Sequence, residues 1–296
     1  MQSPLFPTWA FLLFMGGMAA SLTSRAQSPE LARAEAAHQS LRQATNEADR
    51  LALHAQIEDL WAQAAEAGGL MDVDWSLWNE AVVDLGEGEE RLLVYSWNVE
   101  LDDQSQRYGG WVAVADSKAP LGYQWTALAH DTQTDPTDDN RIHRHDHWQG
   151  GLYYAGVVTY DKSKPVYTVL AWDGADALTT RKWAETLETR NGRVRFGSPR
   201  FEMPQGLRKR HVLRYANAVQ ATLRVEPSPV RIVMDHLAPE SPDFRGQYAF
   251  YGPTLSYDAL EWRKGRWHWK KDVAAQNDEE GSRREYRDPS RRRGRN

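Results

Sequence analysis

The chain has 296 residues, of which 41% are hydrophobic and 26% charged, and its formal net charge is −5. That length suits one sizeable domain or two small ones, and the composition is that of an ordinary globular protein, not a disordered or membrane-embedded one. An acidic balance without a basic surface excludes nucleic acid as an expected partner, and the absence of cysteine excludes disulfides, thiolate zinc sites, a cysteine nucleophile and lipid attachment at an N-terminal cysteine.

Residues 5–22 (LFPTWAFLLFMGGMAASL) carry no charge and are followed by Ser24, Arg25 and Ala26. This is the pattern of a cleavable signal peptide over 1–26, with Gln27 as the mature N-terminus. Pro7 and Gly16-Gly17 interrupt the run and argue against a permanent membrane anchor. The expected product is exported, periplasmic or secreted, with no stable transmembrane segment after processing.

Residues 27–69 read as a helical segment. Ser28, Pro29 and Glu30 combine a cap, a first-turn proline and an early acid, and Gly68-Gly69 ends the pattern after about Ala67. Ile57, Leu60, Trp61 and Ala64 form a short apolar stripe that predicts packing on the domain, since sustained coiled-coil heptads are missing.

From 70 to 277 the periodicity changes to β-branched and aromatic runs separated by Asp, Gly, Asn and Pro. Strands are expected at 91–99, 110–115, 124–129, 153–160, 166–172, 211–215, 221–225, 230–234 and 262–269, with helix confined to Thr179–Leu187. Tyr108–Asp131 and Tyr153–Asp173 share a strand, an Asp-Ser/Lys-Pro connection, a second strand and a closing Leu-Ala-x-Asp. The expected fold is mainly β: an antiparallel, hairpin-built sandwich, curved sheet or small propeller-like domain with an N-terminal α-helix. Residues 278–296 mix acids with seven arginines and hold no large apolar side chain besides Tyr286, which predicts a disordered charged tail.

Several motifs lie between about Val94 and Asn277: Trp172-Asp173-Gly174, Phe196-Gly197-x-Pro199 with Phe201, Lys209-Arg210-His211, the stretch from Tyr215 to Arg224, Asp235-His236-Leu237-Ala238-Pro239, Tyr248-x-Phe250-Tyr251-Gly252-Pro253, and Leu255-Ser256-Tyr257-Asp258-Ala259-Leu260. Through these the chain resembles a group of uncharacterised exported proteins of Bacteroidota-type bacteria. The resemblance implies an extracytoplasmic address and no activity. The histidine cluster and arginine-rich tail depart from the group's pattern.

Three sets of residues are candidates for a site. In RIHRHDHW (141–148), His143, His145 and His147 alternate, and on a strand all three imidazoles would share one face, as zinc or copper ligation requires. The competing reading is a polar loop. Just upstream, DTQTDPTDDN (131–140) offers oxygens for calcium but lacks the glycine and spacing of a calcium loop. Asp235 and His236, with Tyr257 and Asp258 (and Tyr251 nearby), form the candidate catalytic constellation, since an Asp beside a His can orient a base; no nucleophile motif accompanies it. Of thirteen tryptophans, Trp267 and Trp269, with Tyr251, are candidates for a ligand-facing aromatic platform. No cofactor is required by the sequence, zinc or calcium being the ions these residues could hold. The expected function is an exported, non-catalytic binding or structural protein of the cell envelope or secretome whose partner is an envelope or extracellular protein or a glycan. The alternatives are a secreted metal-dependent hydrolase built on the histidine cluster and a carbohydrate-binding module.

Overall fold

A computed structural model describes residues 28–78, 82–190 and 193–274. The expected signal peptide over 1–26 and the expected disordered tail over 278–296 lie outside the described residues. Among the described residues the chain is mainly β, with two helices at its N-terminal end.

The expected single helix is a helical hairpin. α1 (Pro29–Gln43) starts as anticipated, with Ser28 Oγ accepting from the Leu31 N–H. It stops at Ala44, whose backbone is extended, and Asn46 caps α2 (Glu47–Ala67) by accepting from the Asp49 N–H. An Ala-Thr-Asn break with a strong N-cap outweighs the helix-forming residues on either side. Gly68 and Gly69, both at positive φ, end α2. No helix among the described residues is long and apolar enough to cross a membrane.

Three sheets follow. The first holds β1 (Val82–Leu85), β2 (Leu92–Glu100), β3 (Gln106–Ala115) and β4 (Tyr123–Leu128) as an antiparallel meander. In the second, β5 (His143–Arg144), β9 (Arg193–Phe196), β8 (Thr179–Arg190), β7 (Lys164–Asp173) and β6 (Leu152–Asp161) lie in that order, and β12 (Arg210–Ala216) pairs with the first half of β8. The third runs β11 (Gly206–Arg208), β10 (Phe201–Met203), β16 (Arg266–Val273), β15 (Tyr251–Arg263), β14 (Val230–Pro239) and β13 (Leu223–Pro227); its β10–β16 pair is parallel. The two similar hairpins therefore belong to different sheets, β3–β4 in the first and β6–β7 in the second, and are not successive propeller blades.

Strand alternation explains the stacking. On β2, Leu93, Tyr95 and Trp97 face the helices while Leu92 and Val94 face the second sheet; on β7, Val169 and Ala171 face the first sheet while Leu170 faces the third. Three cores result: helices on sheet, sheet on sheet, and sheet on sheet again. The middle sheet is buried on both sides, which accounts for two departures from expectation. Thr179–Leu187, expected as helix, is the start of β8, because Trp183 and Leu187 fill one core and Ala184 the other, and burial overrides the helical preference of Lys, Ala, Glu and Leu. The expected strand at 262–269 is broken by a hairpin turn: Lys264 and Gly265 both take positive φ between the paired Arg263 and Arg266, so residues 262–263 end β15 and 266–269 begin β16.

The first core is densely aromatic: Trp61, Trp75 and Trp78 pack together around Tyr95, and Tyr95 and Trp111 stack at 5.6 Å between centroids. Gly109 makes room for it, since a Cβ there would lie 2.2 Å from Trp97 Cζ2. Gly109→Ala is therefore expected to displace the Trp97 ring and cost about 1–3 kcal/mol, read as a lower urea midpoint. An unchanged midpoint would mean that the ring has somewhere else to go.

Candidate functional site

The histidine-rich segment does not form one long strand. β5 is two residues long, Arg144 and His147 bridge across a tight turn, and His145 sits in that turn with its N–H on Val194 O and its C=O accepting from Ala129 N–H. The three imidazoles part company. His147 is exposed and meets Asp131 Oδ2 at 3.0 Å, while His143 points into the core. Among the described residues no group of three or more His, Asp or Glu side chains is arranged to hold a metal ion.

What His143 joins is a buried polar network. Glu185 and Arg210, each with 0% exposure, pair at 2.8 Å between Nη2 and Oε2, and Nε donates to the same oxygen at 3.1 Å. Glu185 Oε1 accepts from Trp183 Nε1 (2.8 Å), Tyr153 OH (3.0 Å) and Gln149 Nε2 (2.7 Å). Arg210 Nη1 donates to Asp138 O and reaches His143 Nε2 at 3.2 Å, while His143 Nδ1 lies 2.6 Å from Gln149 Oε1. One tautomer satisfies every contact: His143 donates through Nδ1–H to Gln149 and accepts from Arg210 at Nε2. Burial, with Arg210 second, lowers the His143 pKa and keeps the ring neutral. The circuit ties the loop over 131–149 to the middle sheet and leaves neither His143 nitrogen free.

The aspartates of 131–140 also turn inward on their own loop. Asp131, Asp135 and Asp138 each accept the N–H two residues ahead, at Gln133, Thr137 and Asn140. Successive turns of this kind spread the carboxylates along the chain instead of gathering them round a cation.

In the third sheet, His236 Nδ1 meets Asp258 Oδ2 at 2.8 Å, and Asp258 Oδ1 accepts from the Asp272 N–H across the β15–β16 irregularity. Asp235 is engaged elsewhere, its Oδ2 accepting from the Thr222 N–H at 2.6 Å, and Tyr257 stands opposite Asp235 in the strand register. Thus His236 and Asp258 are brought together and Asp235 is not. Of the aromatic candidates, Trp267 is wholly buried and donates to Thr168 Oγ1 of the middle sheet at 3.0 Å. Trp269 and Tyr251 pack half-buried around the same core, with Tyr251 OH accepting from Gly246 N–H.

A cleft of about 680 Å³ opens elsewhere, between the end of α1, the start of α2 and the end of β2. Trp78, Tyr95, Trp97 and His38 form its aromatic wall, and Glu35, Arg42, Arg50, Asn98 and Glu100 supply charge and hydrogen-bonding capacity. His38 Nε2 lies 3.2 Å from Trp61 Nε1 and 3.0 Å from Tyr95 OH; Trp97 Nε1 donates to His54 Nδ1 at 2.9 Å. An indole N–H can only donate, so both imidazoles must present a bare nitrogen. Burial pulls the His38 pKa down to about 3, helped by Arg42 and His54, and burial followed by Arg107 lowers that of His54. Burial likewise raises the Tyr95 phenol. Groups tuned this far from neutrality are poor acid–base catalysts at pH 7 and good fixed hydrogen-bonding walls. The motifs read from the sequence contain none of this cleft. Trp78 and Trp97 are visible as tryptophans, but His54, which receives the Trp97 indole, lies on a helix 43 residues earlier in the chain.

No protein-family model, no curated protein and no solved structure matches the chain.

Proposed function

We propose that this chain is an exported, non-catalytic binding protein that takes a small ring-bearing, polar ligand into the cleft between the helical hairpin and the first sheet. The cleft carries this reading: it joins an aromatic wall to a rim with charges of both signs, as small-molecule sites do. Export rests on the pattern of residues 1–26. The hydrolase alternative lacks the one-face histidine geometry it called for, because His143 is committed to Gln149 and Arg210. A carbohydrate module reading drew on Trp267 and Trp269, and none of the exposed large apolar side chains among the described residues is a tryptophan.

Full-length protein carrying 5-fluorotryptophan, screened by ¹⁹F NMR against sugars, nucleosides and aromatic acids, tests the proposal. At least one compound is expected to shift the Trp78 and Trp97 resonances saturably. Ala44→Trp, which fills the cleft from its rim, is expected to weaken that shift at least tenfold. A screen in which no compound shifts either resonance, or a Trp78 or Trp97 shift that survives Ala44→Trp, would count against the cleft.

A further inference from the structure

Lys182 shares one face of β8 with Thr180 and Ala184 and stands in register opposite Trp172 of β7 and Leu213 of β12. That face meets the third sheet, since Ala184, Leu213 and Tyr215 belong to the third core. A lysine so placed ordinarily carries its amine out to water or to a carboxylate. Lys182 Nζ instead donates to Ala221 O at 2.7 Å, lies 5.7 Å from the centroid of the Tyr154 ring, and makes no ion pair among the described residues.

The amine lines a cavity of about 540 Å³ whose other walls include Trp172, Thr180, Tyr215, Asn217 and Val219. No lining residue is shared with the cleft beside the helices. Burial lowers the Lys182 pKa against the pull of Asp235, which acts from longer range and is itself held by the Thr222 N–H at 2.6 Å. Desolvation of this kind enlarges the share of uncharged amine, and the uncharged amine is the nucleophile. Thr180 Oγ1 donates to Asn217 Oδ1 at 3.0 Å, which leaves the Asn217 amide hydrogens to meet an oxygen of a ligand. Half-buried Trp172 adds an apolar wall.

We propose that Lys182 is a reactive amine that captures a small aldehyde in this cavity as an imine. The Nζ lone pair attacks the carbonyl carbon, both amine hydrogens leave with the carbonyl oxygen as water, and a C=N bond replaces the C=O bond. Full-length protein treated with benzaldehyde or with glyceraldehyde, each with sodium cyanoborohydride to reduce the imine to a stable secondary amine, is read by peptide mass mapping. With at least one aldehyde, Lys182 is expected to be alkylated at least tenfold faster than the exposed Lys118, Lys162, Lys264 and Lys271. Its rate is expected to saturate as aldehyde is raised, while theirs stays proportional to concentration. The faster arm tells an aromatic aldehyde from a polyhydroxy one. Val219→Trp, which narrows the cavity from an exposed position, is expected to slow Lys182 at least tenfold and leave the four exposed lysines unchanged, whereas Ala44→Trp is expected to slow none. Should Val219→Trp fail to fold, the rates in the parent protein decide alone. Alkylation of Lys182 no faster than the exposed lysines with either aldehyde, a rate that does not saturate, or full labelling in folded Val219→Trp would overturn the proposal.

Discussion

Arg210→Met is expected to lower stability by about 3–5 kcal/mol, because it strands the Glu185 carboxylate in a site with no solvent. For a domain of this size that corresponds to a melting temperature roughly 6–20 °C lower. The loss is larger than a surface pair would give, since an exposed ion pair contributes only about 0–1 kcal/mol. Glu185→Gln combined with Arg210→Met removes both charges while leaving an oxygen for Trp183 and Tyr153. The double variant is therefore expected to be more stable than the sum of the single losses by about 2 kcal/mol or more. Additive losses would mean that the two side chains do not act as a pair. The loop over 131–149 hangs on the same residues, so limited proteolysis of Arg210→Met is expected to cut there first.

Acid is expected to unfold this protein near pH 4–5. Burial is the main cause that lowers the pKa of His38 to about 3 and of His130 and His211 to about 4, and each is neutral in the fold. The unfolded chain takes up protons on these residues below their ordinary pKa of about 6.5. A depressed histidine pKa thus contributes stability that is present above pH 6.5 and lost as pH falls toward the folded value. Each histidine costs up to about 1.4 kcal/mol per pH unit in that window, and three together up to about 4. Against a usual stability of about 5–15 kcal/mol, two pH units suffice. The hydrogen bonds agree with neutral rings: His130 Nδ1 accepts from the Tyr108 N–H, and His38 Nε2 faces the Trp61 and Tyr95 donors. Urea midpoints at pH 7.5 and 5 measure the slope, and His38→Gln, which cannot titrate but keeps an acceptor, is expected to flatten it by up to about 1.4 kcal/mol per pH unit. Equal midpoints at the two pH values would contradict neutral burial.

Local signals in the sequence carried much of the fold. Ser28-Pro29-Glu30 starts α1, Gly68-Gly69 ends α2, and most expected strands coincide with β2, β3, β4, β6, β7, β12, β13 and β14. Legibility failed where a residue's neighbours come from distant sheets. Glu185 and Ala184 look helical in sequence because nothing local shows that β8 is covered on both faces. The His143 segment looked like a ligand face because alternation in sequence implies a shared side only if the strand continues, and β5 ends after two residues. Arg210 was visible only as part of Lys209-Arg210-His211; its buried partner lies 25 residues earlier, across a strand pairing that no local pattern encodes. The cleft is harder still to read, since it needs α1, α2 and β2 to meet.

The measurement that separates a binding scaffold from a metal-dependent hydrolase most directly is the metal content of the purified, untagged protein after dialysis, beside a variant with His143, His145 and His147 all replaced by alanine. A scaffold role predicts zinc, copper and calcium each far below one equivalent in both proteins, with stability lost only in the variant, where His143 no longer bridges Gln149 and Arg210. A near-stoichiometric metal that the parent retains and the variant loses would contradict it.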